Sequence, residues 1–147
     1  MINAFINFRI IGDGLDIPDI TAHLQKKPTT VYKKGDIITS RFKSEKTVHT
    51  EDCWIYHEEI AKSDNLQQRT SEFLDEFVGY SDYINELSKK FSITIWIALY
   101  PEIEQFNIHL SQEIIEKLSK LKSTMDVEVA CLQSFYDGSY LTKDKKV

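Results

Sequence analysis

Residues 91–100 read FSITIWIALY, and Ile93, Ile95, Ile97 and Leu99 recur there with a two-residue period. Thr94, Trp96, Ala98 and Tyr100 fall on the opposite side, which is also mostly apolar. The run is short, rich in β-branched and aromatic residues, and stops at Pro101, so it reads as a strand rather than a buried helix. Apolar residues on both sides place such a strand inside a sheet and covered on both faces. On this reading the strand is the middle of the sheet and Trp96 is a core residue.

Working outward, alternation of Ile2, Ala4, Ile6, Phe8 and Ile10 with Asn3, Phe5, Asn7 and Arg9 predicts a first strand with one buried side. Gly12-Asp13-Gly14 turns the chain, and Asp16, Pro18 and Asp19 announce a short helix with Ile20 and Leu24 inward. Pro28 ends it. Residues 29–57 read as short strands, with Lys34-Gly35-Asp36 as a turn and residues 43–52 as an exposed polar loop. Leu66, Thr70, Phe73, Leu74, Phe77 and Val78 recur at helical spacing. Gly79 interrupts that helix, and Ser81 caps a second segment through Ile84 and Leu87. Past residue 100, Phe106, Ile108 and Leu110 predict a strand antiparallel to its predecessor. Ser111 caps a helix carrying Ile114 and Leu118, and Met125, Val127, Val129 and Cys131 form a last strand. Two strand–cap–helix–strand units, around Asp16 and Ser111, echo one another faintly.

The expected fold is α+β: a mostly antiparallel mixed sheet of about six strands against a layer of helices, in the order β-α-β-β-α-β-β-α-β. At 147 residues the chain is read as one domain, residues 1–147, with a short basic tail from about residue 142. No apolar run approaches the roughly 20 residues that span a bilayer, and the N-terminus has no basic region before its apolar residues and no plausible cleavage site, so no signal peptide is expected. Cys53 and Cys131 have neither metal-site nor CxxC spacing, which fits reduced thiols and a cytoplasmic protein.

Charge is unevenly placed. The chain carries −5 overall, but residues 51–116 hold fourteen acidic and four basic side chains. Net acidity argues against nucleic-acid binding, which needs clustered Lys and Arg, and favours a basic protein partner. Glu72, Asp75, Glu76 and Asp82 are the candidate partner-binding residues. No phosphate loop, zinc helix or nucleophile elbow is present, the four histidines are scattered, and neither Glu58-Glu59 nor Glu102/Glu104 makes a convincing acid–base pair. The sequence therefore names no catalytic residue, metal or cofactor.

The string Ile10-Ile11-Gly12-Asp13, Leu15-Asp16, Ile20-Thr21-x-x-Leu24, Pro28-Thr29, Lys34-Gly35-Asp36, Trp54, the two-part acidic helical region, and Ile108-x-Leu110-Ser111-x-Glu113 resembles a bacterial family. It is the domain of unknown function numbered four-two-seven-nine. The resemblance runs from the first strand through Val129. It implies no catalytic residues, and the family's small single-domain members are similar in kind to immunity proteins that neutralise toxins by binding them. The expected function is thus a cytoplasmic protein-binding module of the immunity or antitoxin type, which occludes a toxin-like partner. The alternative is a small-molecule-binding or enzymatic domain with a pocket between sheet and helices, lined by Tyr32, Lys34, Trp54, Tyr56 and His57. A third is a subunit of a larger complex. No nucleic acid, membrane or cofactor is expected, and the oligomeric state stays open.

Overall fold

The computed structural model describes residues 2–38, 47–101 and 107–130. In chain order the elements are β1 (Ile2–Gly12), α1 (Ile17–Leu24), β2 (Thr30–Tyr32), β3 (Ile37–Ile38), β4 (Thr47–Val48), β5 (Asp52–Ile60), α2 (Leu66–Val78), α3 (Ser81–Ser88), β6 (Ser92–Pro101), α4 (Gln112–Lys120) and β7 (Thr124–Val129). Five strands make one sheet in the order β2-β5-β1-β6-β7, and β3 and β4 pair as a separate two-stranded ribbon. The architecture is α+β with a mixed sheet. Every pair in the main sheet is antiparallel except β6 with β7, which run parallel through the α4 crossover.

The central position belongs to β1, with β6 beside it as an interior strand. β1 is the longest strand and exchanges hydrogen bonds on both edges, pairing Ala4 to Gly12 with β5 and Ile2 to Ile11 with β6. This register puts Ala4, Ile6, Phe8 and Ile10 on one face with Trp54 and Ile60 of β5 and Ile93, Ile95, Ile97 and Leu99 of β6. All are buried. Every described helix packs on that face, contributing Ile20 and Leu24 from α1, Phe73, Leu74 and Phe77 from α2, Ile84 from α3 and Ile114 from α4 to a shared core. Phe8 lies between stacked Phe77, with centroids 4.1 Å apart, and edge-on Trp54 at 6.2 Å. The buried indole of Trp54 donates to Thr21 Oγ1 at 3.2 Å, which ties α1 to the sheet.

The helix starts follow their capping chemistry. Asp16 accepts from Asp19 N, Asn65 from Gln68 N and Ser111 from Ile114 N, each satisfying a first-turn amide. The α2–α3 break falls at Gly79, but the N-cap of α3 is Tyr80, which makes no side-chain cap bond, and Ser81 is the buried first residue of the helix. Gly12 is required sterically, since a Cβ there would stand 2.6 Å from Phe91 Cδ1. Gly14 and Gly35 hold φ of 78° and 93° in turns, where a side chain would be strained.

Several expectations are corrected. Residues 107–110 form no strand, because β6 already has β1 and β7 as neighbours; Phe106 lies outside the described residues. Asp52 is not in a loop but begins β5. Its carboxylate accepts from Gly14 N, Leu15 N and Lys34 N, clamping two turns together. Glu58 and Glu59 lie on a strand, so they point to opposite faces. Trp96 is only half-buried, since no described helix covers its side of the sheet; Trp54 is the fully enclosed indole. Cys131, Glu102, Glu104 and the tail from residue 142 lie outside the described residues.

Candidate functional site

The five residues expected to line a pocket do not converge. Trp54 and Tyr56 point to the helices, Trp54 with no exposed surface, while His57 projects from the opposite face. Tyr32 is exposed and stacks on His49 with centroids 4.1 Å apart. Lys34 belongs to the turn: its amide donates to Asp52, and its Nζ lies 3.5 Å from Asp13 in solvent. The space between sheet and helices at Trp54 is filled by side chains.

The acidic residues are in large part already paired. Glu72 sits 2.8 Å from Arg69 Nη1, Asp75 2.7 Å from Lys117 Nζ, and Glu76 3.5 Å from Lys26 Nζ. Arg69 and Gln68 together hold the Glu72 carboxyl below its usual range, hydrogen bonding from Gln68 being the larger cause. Asp82 is exposed on α3.

The helix–sheet joint contains a carboxyl pair that sequence spacing does not announce. Glu58 of β5 accepts from Tyr56 OH at 3.3 Å and lies 3.5 Å from Arg69 Nη2. Glu76 of α2 faces it, with Lys26 alongside and 4.9 Å above the Tyr56 ring. Burial, then the hydrogen bond and repulsion from Glu58, raise the Glu76 pKa. As a carboxylate, Glu76 would leave its buried Oε2 without a partner.

The other face of the sheet gathers the polar and aromatic groups that the core does not use. Asn7 stands opposite His57 and Trp96; Arg9 stands opposite Ile55 and Thr94; Phe5 stands opposite Glu59 and Ala98. The Arg9 guanidinium lies over the Trp96 ring, 4.3 Å from its centroid. Asn7, 2% exposed, faces His57 Nδ1 through Oδ1 at 2.5 Å, and as an amide oxygen it accepts from that nitrogen. Phe5 stacks on His57 at 5.2 Å and meets Tyr100 edge-on at 5.8 Å. Thr94 and Thr124 share a hydroxyl hydrogen bond of 3.1 Å beside Arg9. Nε of Arg9 is buried with no acceptor.

Strand periodicity assigns Asn7 and Arg9 to the outward side of β1, but only the β1–β5 and β1–β6 registers bring them to His57 and Trp96. Cys53, on the same face, is a poor nucleophile, because burial pushes its thiol up to about 11. Among the described residues no three His, Cys, Asp or Glu side chains gather as a metal site. No described helix is long and apolar enough to cross a membrane.

Among the described residues, four helices lie on one side of a five-stranded sheet and an arginine–aromatic array on the other, a two-layer α+β arrangement in which no described helix covers the second face. The chain belongs to the family described as Domain of unknown function (DUF4279), whose model matches residues 2–132. No curated protein and no solved structure matches the chain.

Proposed function

We infer that this chain is a protein-binding module of the immunity or antitoxin type, acting in the bacterial cytoplasm, which neutralises a toxin-like partner by occluding it. Its contact surface is the sheet face around Arg9 and Trp96. One observation carries the reading: the half-buried Arg9–Trp96 stack and the half-buried Phe5–His57–Tyr100 cluster share one face of the sheet, on either side of Asn7 and away from every described helix. Arginine and large aromatic residues dominate the energetic centres of protein contacts, because they offer large area at low conformational cost. A flat sheet face suits occlusion better than turnover, which needs converging groups in a cleft. Glu72, Asp75 and Glu76 are paired with cations of their own chain, so they and Asp82 serve the approach of a partner rather than its anchoring.

The test is capture from the native host with the tagged chain, followed by mass spectrometry, comparing wild type with Trp96→Ala and with a Glu72→Gln/Asp75→Asn double variant. The reading expects one prey protein retained by the acidic double variant and lost by Trp96→Ala, whose thermal melt stays close to wild type. Equal capture by Trp96→Ala would remove the sheet face from the contact.

A further inference from the structure

We propose that the Arg9 site receives a single carboxylate, an Asp or Glu side chain or a chain terminus, carried on an aromatic or apolar segment of the partner. The inference rests on the sheet face being the contact surface and adds the chemistry of what it holds. The Arg9 guanidinium has five N–H donors; among the described residues it lies against the ring of Trp96 and makes no hydrogen bond and no ion pair. A half-buried guanidinium is an expensive group to leave without acceptors. Stacking on the indole occupies one side of the planar cation, and its N–H donors lie in the plane, with the buried Nε–H still lacking an acceptor; that geometry suits a carboxylate approaching edge-on.

The surroundings narrow the anion to one charge. Arg9 is the single fixed cation among the described residues of this face, while Glu59, Asp126 and Glu128 stand on the same side of β5 and β7. A phosphate dianion or a run of acidic residues would be repelled by those carboxylates, and phosphate sites gather several cations rather than one. One carboxylate satisfies Arg9 without meeting them. The hydroxyls of Thr94 and Thr124 lie next to it as further polar partners. Phe5, Trp96 and Tyr100 offer ring surface to the apolar residues on either side of the anion.

The experiment titrates the intact chain with the peptides acetyl-Phe-Glu-Phe-amide and acetyl-Phe-Gln-Phe-amide and with inorganic phosphate, following the Arg9 Nε–Hε and Trp96 Nε1–Hε1 signals by ¹H–¹⁵N NMR. The glutamate peptide is expected to give a saturable shift of both signals, and the glutamine peptide to bind about tenfold more weakly, the loss of one charge-assisted hydrogen bond. Arg9→Gln, checked for an otherwise unchanged spectrum, is expected to abolish the difference between the two peptides, and Arg9→Lys to keep part of it. Equal affinity for the two peptides, or phosphate binding as tightly as the glutamate peptide, would overturn the proposal. The two readings fail separately. Carboxylate binding with no host protein captured leaves this site standing and removes the occlusion role. A captured partner that binds Arg9→Gln as well as wild type leaves the role and removes this site.

Discussion

One sheet presents two faces built from the same three long strands, and they differ in almost every physical respect. On the helix side β1, β5 and β6 offer Ile, Phe and Trp side chains with almost no exposed surface, closed by four helices. On the other side the same strands alternate small buried residues (Asn7, Ala98, Cys53) with large half-buried ones (Arg9, Trp96, Tyr100). The first arrangement maximises apolar area removed from water. The second keeps rings and a guanidinium at the surface, where a fold gains little and a partner gains much. The two tryptophans summarise the contrast: Trp54 is enclosed with its N–H satisfied by Thr21, and Trp96 lies under an arginine at the surface.

The largest effect that would break this contrast is a failure of Trp54→Ala to destabilise. Removing an enclosed indole is expected to cost about 3–5 kcal/mol in a denaturant melt, by lost transfer energy and the cavity left behind. An unchanged midpoint would mean the helix side is not the core. Gly12→Ala is expected to cost about 1–3 kcal/mol by the same assay, because its Cβ meets the Phe91 ring at 2.6 Å and the ring must move. Trp96→Ala is expected to cost only about 1 kcal/mol, the scale of an exposed cation–π contact. A loss matching that of Trp54 would show the second face packed as tightly as the first.

Protonation sharpens the comparison further, since the helix side holds the Glu58–Glu76 pair. Glu76 binds its proton more tightly folded than unfolded, so the stability it contributes is full below its ordinary pKa and is lost as pH rises through the raised value. Lys26, Tyr56 and Arg69 face the same pair and set where that window falls. Glu76→Gln, whose amide donates at every pH, is expected to flatten the decline of melting temperature from weakly acidic to neutral pH. A slope equal to wild type would assign the pH dependence elsewhere. Asp52 acts with the opposite sign. The amide of Lys34, then those of Leu15 and Gly14, hold its carboxyl below the ordinary range, so its contribution is present above that range and lost on acidification. Smallest of all, Glu72→Gln with Asp75→Asn is expected to change stability by about 0.5 kcal/mol or less, because exposed ion pairs contribute little. A larger loss would make the α2–α4 ion pairs part of the fold.

Much of this was legible in one dimension. The alternation in β1 and β6, the caps at Asp16 and Ser111, the apolar spacing of α2 and the turn at Lys34-Gly35-Asp36 are local patterns with local causes, and the structure carries them. The site was less legible. Lys34 and Trp54 stand out in sequence as a turn lysine and a rare indole, yet the first serves a turn and the second the core. Phe106 to Leu110 alternates like a strand, but residues 107–110 pair with no strand, since a pattern does not guarantee a free edge.

By itself the sequence determined the helices, the strand periods, the acidic middle and the family, because each depends on residues near in the chain or on motif spacing. Only the tertiary structure decided that β1 lies at the centre, that Trp96 and Trp54 exchange their expected roles, that Glu58 meets Glu76, and that Arg9, Asn7, His57 and Trp96 share a face. The physical reason is register. Period-two alternation states which residues share a side of their own strand, but which side the helices cover, and which residues stand opposite, are fixed by strand pairing between residues as far apart as Ile2 and Pro101.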